Sequence, residues 1–426
     1  MNFLYGRHRR CVSRRFAAHS NERRENRSSQ VPIPEHSDAS PEPAFAPLSF
    51  TGGGLFLRLQ QWLNIAPPGN LGWRAALAIL LCWGTPMLLA LFAFARTGRL
   101  PALTHEAGFH ARFLVTVPLL LAAETWLGYR IAAISTSFVP RRMLDGAAAA
   151  SWTGLARRIE RVGAASITEL AIAVAVWGIA LLDALRSRPS PLLKWLAPAA
   201  IGGAGEPLAQ WWYVVVSQPV LLFLLARWLW RWLLWSAALV GLLWMHPRLN
   251  AKHPDRAGGT AFLTITLDAY QLVALAVGAA FAGTWADAIV KTGAEAATLA
   301  PMLVGYVAGA LVIGFAAFLP FTPLLIHSRR RDTARYAVFA AQYLQAFDDK
   351  YLSSRSRDAV LGSSDIQSLS DLHNSYVIAA DMRMTVFSPR DVSRVLAMAV
   401  LPTLILMIAI VPANEIAKRL LIFVIP

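Results

Sequence analysis

From Trp211 to Met245 the chain is almost continuous hydrocarbon, interrupted by Arg227 and Arg231 within the run Arg-Trp-Leu-Trp-Arg-Trp-Leu-Leu-Trp (227–235). At 1.5 Å per residue this stretch makes a helix of roughly 52 Å, longer than the ~30 Å hydrocarbon layer of a bilayer, and it holds no turn that would divide it in two. It predicts a long tilted helix that crosses a membrane and projects beyond it. The projecting end carries tryptophan and leucine, so other protein has to cover it, and residues 327–393 are the expected cover.

Six further stretches have the ~20 apolar residues that a crossing needs, which places crossings at about 73–95, 112–134, 166–184, 211–240, 267–288, 299–324 and 394–412. The last contains Pro402. A chain of 426 residues would suggest several soluble domains, but 56% hydrophobic and 15% charged residues exclude that class. The expected fold is all-α: a polytopic transmembrane helical bundle of about seven crossings, with six to eight compatible, and a small helical cytoplasmic subdomain.

The net charge of +15 does not mark a nucleic-acid binder, because the basic residues fall between the apolar stretches. With the N-terminus inside, inner segments hold Arg130, Arg141, Arg142, Arg157, Arg158, Arg161, Arg248, Lys252 and Arg256, then a cluster from Arg329 to Arg394. Outer segments hold about half as many, so the positive-inside rule puts the N-terminus in the cytoplasm and anionic headgroups against the inner loops.

The domains follow. Residues 1–50 are a disordered basic tail without the apolar stretch of a secretory signal, and 51–72 are interfacial, with a short helix at 55–63. Residues 73–326 hold six crossings, 327–393 form the cytoplasmic subdomain, and 394–426 hold the last crossing and an interfacial tail. In the subdomain Tyr336, Phe339, Tyr343, Phe347 and Tyr351 recur at helical spacing, as do Ile366, Leu369, Leu372 and Tyr376. Ser166-Ile-Thr-Glu169 reads as a capping box, and Ser388-Pro-Arg-Asp391 as an N-cap opening the last crossing. Gly278 with Ala282, and Gly305 with Gly309, are spaced to let helix backbones approach.

The candidate intramembrane polar site is Glu124, Arg227 and Arg231. Glu124 falls near mid-depth, where a carboxylate has to be protonated, paired or facing water; it is either a proton or cation site or a structural glutamate. Arg227 and Arg231 share a helix face, and interfacial snorkelling is the competing reading for them. Asp183, Asp268 and Asp287 sit at helix ends and read as interfacial.

The second candidate is the loop His253-Pro-Asp255-Arg256-Ala-Gly258-Gly259. A metal held by His253, Asp255 and His246 is one reading, although no second cluster of ligands accompanies them. Another is an anion, phosphate or lipid headgroup, on the N–H groups that Gly258 and Gly259 free beside Arg256. The simplest is a tight connection that caps a helix and touches its neighbours. The His-Pro-Asp triplet of co-chaperone J-domains is a poor match, because an apolar membrane run precedes it here.

The Arg-Trp-Leu-Trp-Arg-Trp run, the His-Pro-Asp-Arg-Ala-Gly-Gly loop and Met382-Arg383-Met384 together resemble a family of uncharacterised bacterial multi-pass membrane proteins, over most of the chain after residue 70. That resemblance implies a bacterial inner-membrane location and no particular activity. No cofactor or metal is called for, and Cys11 and Cys82 suit neither a disulfide framework nor a zinc site. No serine–histidine–acid set, HExxH or paired carboxylates suggest an enzyme. The expected functions are transport, conduction or sensing of a small solute or ion. The alternative is a membrane scaffold or regulatory subunit, homo-oligomeric or bound to a partner membrane protein through the aromatic helix.

Overall fold

Helical periodicity is the only regular pattern in the sequence, and every regular element among the described residues is a helix. The structure, a computed structural model, describes residues 58, 70–98, 102–138, 143–185, 207–293, 296–352 and 364–410. The chain divides into two units, Met1–Ala44 and Phe45–Pro426, and all described residues belong to the second. The basic tail, the interfacial helix (Arg58 apart) and the tail 416–426 lie outside the described residues.

Among the described residues five helices are long and apolar enough to cross a membrane: α1 (Leu71–Thr97), α2 (Ala107–Ser135), α5 (Leu208–Trp244), α6 (Ala261–Thr292) and α10 (Pro389–Ile410). Two bent pairs bring the number to as many as seven. The first is α3 (Gly146–Gly163) with α4 (Ser166–Leu185), bent by 43°; the second is α7 (Ala296–Ala316) with α8 (Thr322–Tyr351), bent by 51°. α9 (Ser364–Ala380) packs back along α8. Every expected crossing thus has a helix.

α6 lies at the centre. In its most apolar window 67% of residues are buried, against 22% in α1 and 17% in α10, so the last two form the rim. α2 and α10 flank α6, while α5 packs between α2 and α4. The α6–α10 contact is close because Gly278 faces the Ala399 carbonyl and Pro402, which α10 accommodates within its length. A Cβ on Gly278 would stand 2.6 Å from the Ala399 oxygen. Gly305 and Gly309 differ from expectation: nothing lies within 4 Å of where their Cβ atoms would be, so this pair brings no helices together here.

The cover of the long helix also differs from expectation. α3, which replaces part of an expected loop, lies along the Trp244 end of α5. Asp145 caps it, accepting from Ala148 N–H at 2.9 Å. Its buried residues Ala149, Trp152, Ala156 and Ile159 recur at helical spacing, and Leu155 sits against Gly241 of α5. Segment 382–387 packs instead on the loop after α5, with Met382 against Gly258.

Three crossings contain π-helical turns, each just before a proline: Leu80–Gly84 before Pro86, Ala111–Thr116 before Pro118, and Tyr213–Ser217 before Pro219. Proline has no N–H to give the carbonyl four residues back and crowds it, so the turn widens. Two freed carbonyls, those of Cys82 and Val215, find partners on neighbours, while the third turn is tied to α6 by its own Thr116. Ser217 Oγ donates to Cys82 O at 2.8 Å, and Trp177 Nε1 donates to Val215 O at 2.9 Å. Thr116 Oγ1 donates to Ala276 O at 2.8 Å.

Gly278→Ala forces a methyl against a backbone oxygen and is expected to cost roughly 1–3 kcal/mol. Thermal unfolding in detergent should show a lowered Tm for this variant and no loss for Gly305→Ala; equal losses would refute the packing assignment.

Candidate functional site

α2 runs from its Pro118 turn toward a polar end, where Arg130 pairs with Asp268 at 3.0 Å. Glu124 lies six residues before Arg130, so roughly 9 Å further into the bundle. It is 8% exposed. Arg227 and Arg231, one turn apart on α5, both reach Glu124 Oε1 at 2.7 Å. The Arg227 contact is a well-directed hydrogen bond, whereas the Arg231 N–H is not aimed at the oxygen. The three residues nominated for the intramembrane site therefore meet.

Glu169 is a fourth member: its Oε1 accepts from Arg227 Nε at 2.8 Å, a partner that the capping-box spacing around it does not foretell. Glu169 is 4% exposed, and Arg227 and Arg231 are 3% and 5%, so the arginines do not snorkel to headgroups. Guanidinium and carboxylate charges balance in this group, which makes enclosure tolerable. Arg74 of α1 stands alongside, its Nη1 3.5 Å from Thr125 Oγ1. The adjacent face of α5 is fixed by aromatic packing: Trp228 and Trp232 stack at 5.5 Å, and both lie against Tyr270. Trp232 Nε1 also donates to Ile313 O at 3.0 Å.

The other end of α2 holds a second group. Asp287, expected at an interface, is buried and accepts from the N–H groups of Ala107 and Gly108 at 2.9 and 2.8 Å. A carboxylate there satisfies the open N–H groups of the helix start and its positive dipole. Arg112 donates to Thr284 Oγ1 at 2.9 Å and to Tyr213 OH at 3.2 Å, and Glu106 pairs with Lys291 at 3.0 Å. These contacts tie α2, α5 and α6 together.

The loop 253–259 is organised by Asp255. Its Oδ1 accepts from Ala257 N–H at 2.9 Å and Gly259 N–H at 3.1 Å, and its Oδ2 from Ala261 N–H at 3.0 Å. His253 Nδ1 lies 2.9 Å from Oδ1. Of the two N–H groups expected to hold an external anion, that of Gly259 holds the chain's own carboxylate, with those of Ala257 and Ala261 beside it. Gly258 and Gly259 adopt φ of +66° and +95°, which explains the glycines, and Arg256 joins them at +54°. Arg256 is exposed, and its carbonyl accepts from Arg383 N–H at 2.7 Å while Arg383 Nη2 donates to Asp255 O at 2.8 Å. His246 does not join His253 and Asp255, and among the described residues no three His, Cys, Asp or Glu gather as a metal site requires.

Burial works against the charge on Asp255, but the N–H groups of Ala257, Ala261 and Gly259, with His253, outweigh it and hold its pKa below the usual value. No protein-family model, curated protein or solved structure matches the chain.

Arg227→Met leaves two buried carboxylates short of a partner and is expected to cost about 3–5 kcal/mol. A double-mutant cycle with Glu169→Gln, read by unfolding in detergent, should give a coupling above roughly 1 kcal/mol; additivity would deny the pair. For Asp255 the folded pKa is depressed, so its contribution is present above the ordinary aspartate range near ~4 and is lost as pH falls through the folded value. Asp255→Asn places an amide NH2 among N–H donors and should cost roughly 1–3 kcal/mol at neutral pH. That difference should shrink on acidification, and a pH-independent difference would contradict the assignment.

Proposed function

We propose that this chain is a multi-pass protein of a bacterial inner membrane, with its N-terminus in the cytoplasm, that transports, conducts or senses a small solute or ion through its helix bundle. The observation carrying this reading is the enclosed group Glu124, Glu169, Arg227 and Arg231, drawn from three helices. Well-packed apolar side chains hold helices together at no desolvation cost, so ionised groups inside a membrane point to a task beyond packing. The group also has two arrangements within reach. Protonating Glu124 removes the carboxylate that Arg227 and Arg231 share, and both guanidiniums then have reason to move. This is the kind of bistable element that couples a proton or a charged solute to a change in helix packing.

Flux into proteoliposomes, followed over a panel of ions and small solutes, tests this. Glu124→Gln should reduce wild-type flux by roughly tenfold or more, the scale of one charge-assisted contact. Glu124→Asp should keep part of it, with both variants matched to wild type in helicity and elution volume. Equal flux in wild type and Glu124→Gln would end the role assigned to the carboxylate.

A scaffold or regulatory role is favoured by a different observation. α8 and α9 enclose an apolar groove of about 700 Å³, lined by residues including Ala337, Ala341, Leu344, Ile366, Leu369 and Tyr376. Co-purification in mild detergent, with and without Leu344→Glu, separates the two readings: a stoichiometric partner lost in that variant supports the scaffold, and a clean monomer opposes it.

A further inference from the structure

Beside the Asp255 loop, the chain leaving α5 and the first half of α8 enclose a half-open cavity of about 570 Å³. Its walls include Lys252, Arg331, Asp332, Arg335, Tyr336 and Phe339. The charges do not balance. Among the described residues Asp332 is the only acid on the wall, and it is already engaged: its Oδ1 accepts from Arg331 Nε at 2.9 Å and its Oδ2 from Ala251 N–H at 3.4 Å. Lys252 stands over the Tyr336 ring at 5.0 Å, a contact that positions an ammonium without neutralising it. Arg335 lies one turn beyond Arg331 on the same face of α8, exposed and outside the ion pairs formed among the described residues. Two cations, Lys252 and Arg335, thus face the cavity without a carboxylate.

We propose that this cavity binds an anionic phosphate ester. A single guanidinium fork satisfies a carboxylate. Two arginines and a lysine around one space suit a group with more acceptor oxygens and more charge. Phe339, 55% exposed, adds an apolar wall that suits a lipid ester. Location fits as well. α8 continues from α7 after a 51° bend, and Arg331 lies nine residues along it from Thr322, roughly 14 Å by helical rise. Basic pockets this close to a candidate crossing are where anionic headgroups bind. The same chemistry comes from two sources, an anionic phospholipid or a soluble phosphate monoester.

The test is native mass spectrometry of the full chain in mild detergent, titrated with phosphatidylglycerol, phosphatidylcholine and glycerol 3-phosphate. Wild type should bind phosphatidylglycerol or glycerol 3-phosphate at roughly tenfold lower concentration than phosphatidylcholine, and Lys252→Gln with Arg335→Gln should remove that preference. Arg329→Gln with Arg330→Gln deletes the same charge from residues off the cavity wall and should leave it. Phosphatidylglycerol binding that glycerol 3-phosphate does not displace assigns the lipid; displacement assigns the soluble ester. Equal weakening in both double variants would reduce the effect to surface charge and overturn the site. So would undiminished binding in Lys252→Gln with Arg335→Gln, or no preference over phosphatidylcholine in wild type.

Discussion

The contact on which the bundle depends is the Arg227 guanidinium held between Glu124 and Glu169. One nitrogen goes to each carboxylate, at 2.7 and 2.8 Å, so α5 is tied to α2 and α4 at a single residue. A planar fork accepts few orientations, which limits how the three helices can meet. The rotation of α5 follows from this. With Arg227 and Arg231 facing Glu124, the same helix turns Trp228 and Trp232 toward Tyr270 and sends the Trp232 N–H to the Ile313 carbonyl. The charged pair and the tryptophan stack are thus two consequences of one helix orientation.

Backbone satisfaction imposes the second constraint. Pro86, Pro118 and Pro219 each break the hydrogen-bond ladder of a crossing, where lipid offers no substitute donor. Side chains of adjacent helices fill two of the gaps directly: Ser217 at Cys82 and Trp177 at Val215. The broken places become cross-links, α1 to α5 and α4 to α5.

The turn after α5 applies the same logic in a polar setting. A glycine-rich segment before a helix presents converging N–H groups, and a carboxylate two to six residues upstream is near enough to take them. Asp255 does so, leaving its carbonyl and that of Arg256 to Arg383. Residues far apart in the chain, 253–259 and 382–384, are thereby one structural unit, and the free positive charge stands next door on Lys252 and Arg335.

Much of this was legible in the chain. Apolar length determined the crossings, because a bilayer demands roughly twenty such residues whatever their order. Ser388 and Asp391 show the reciprocal N-cap that their spacing suggested, Asp391 accepting from Ser388 N–H at 2.7 Å. α3 was legible too, since Ala149, Trp152, Ala156 and Ile159 recur at helical spacing, but its basic face made it read as loop. What sequence could not supply was partnership. Glu169 satisfied a local capping pattern, Asp287 stood at a helix end and Arg227 lay within a tryptophan belt, and each had an adequate local explanation. Which carboxylate meets which guanidinium depends on the rotation and neighbours of whole helices. The sequence by itself determined that this chain forms helices long and apolar enough to span a membrane; the tertiary structure alone decided that its buried charges form one group, because such pairing is fixed by packing across space rather than by spacing along the chain.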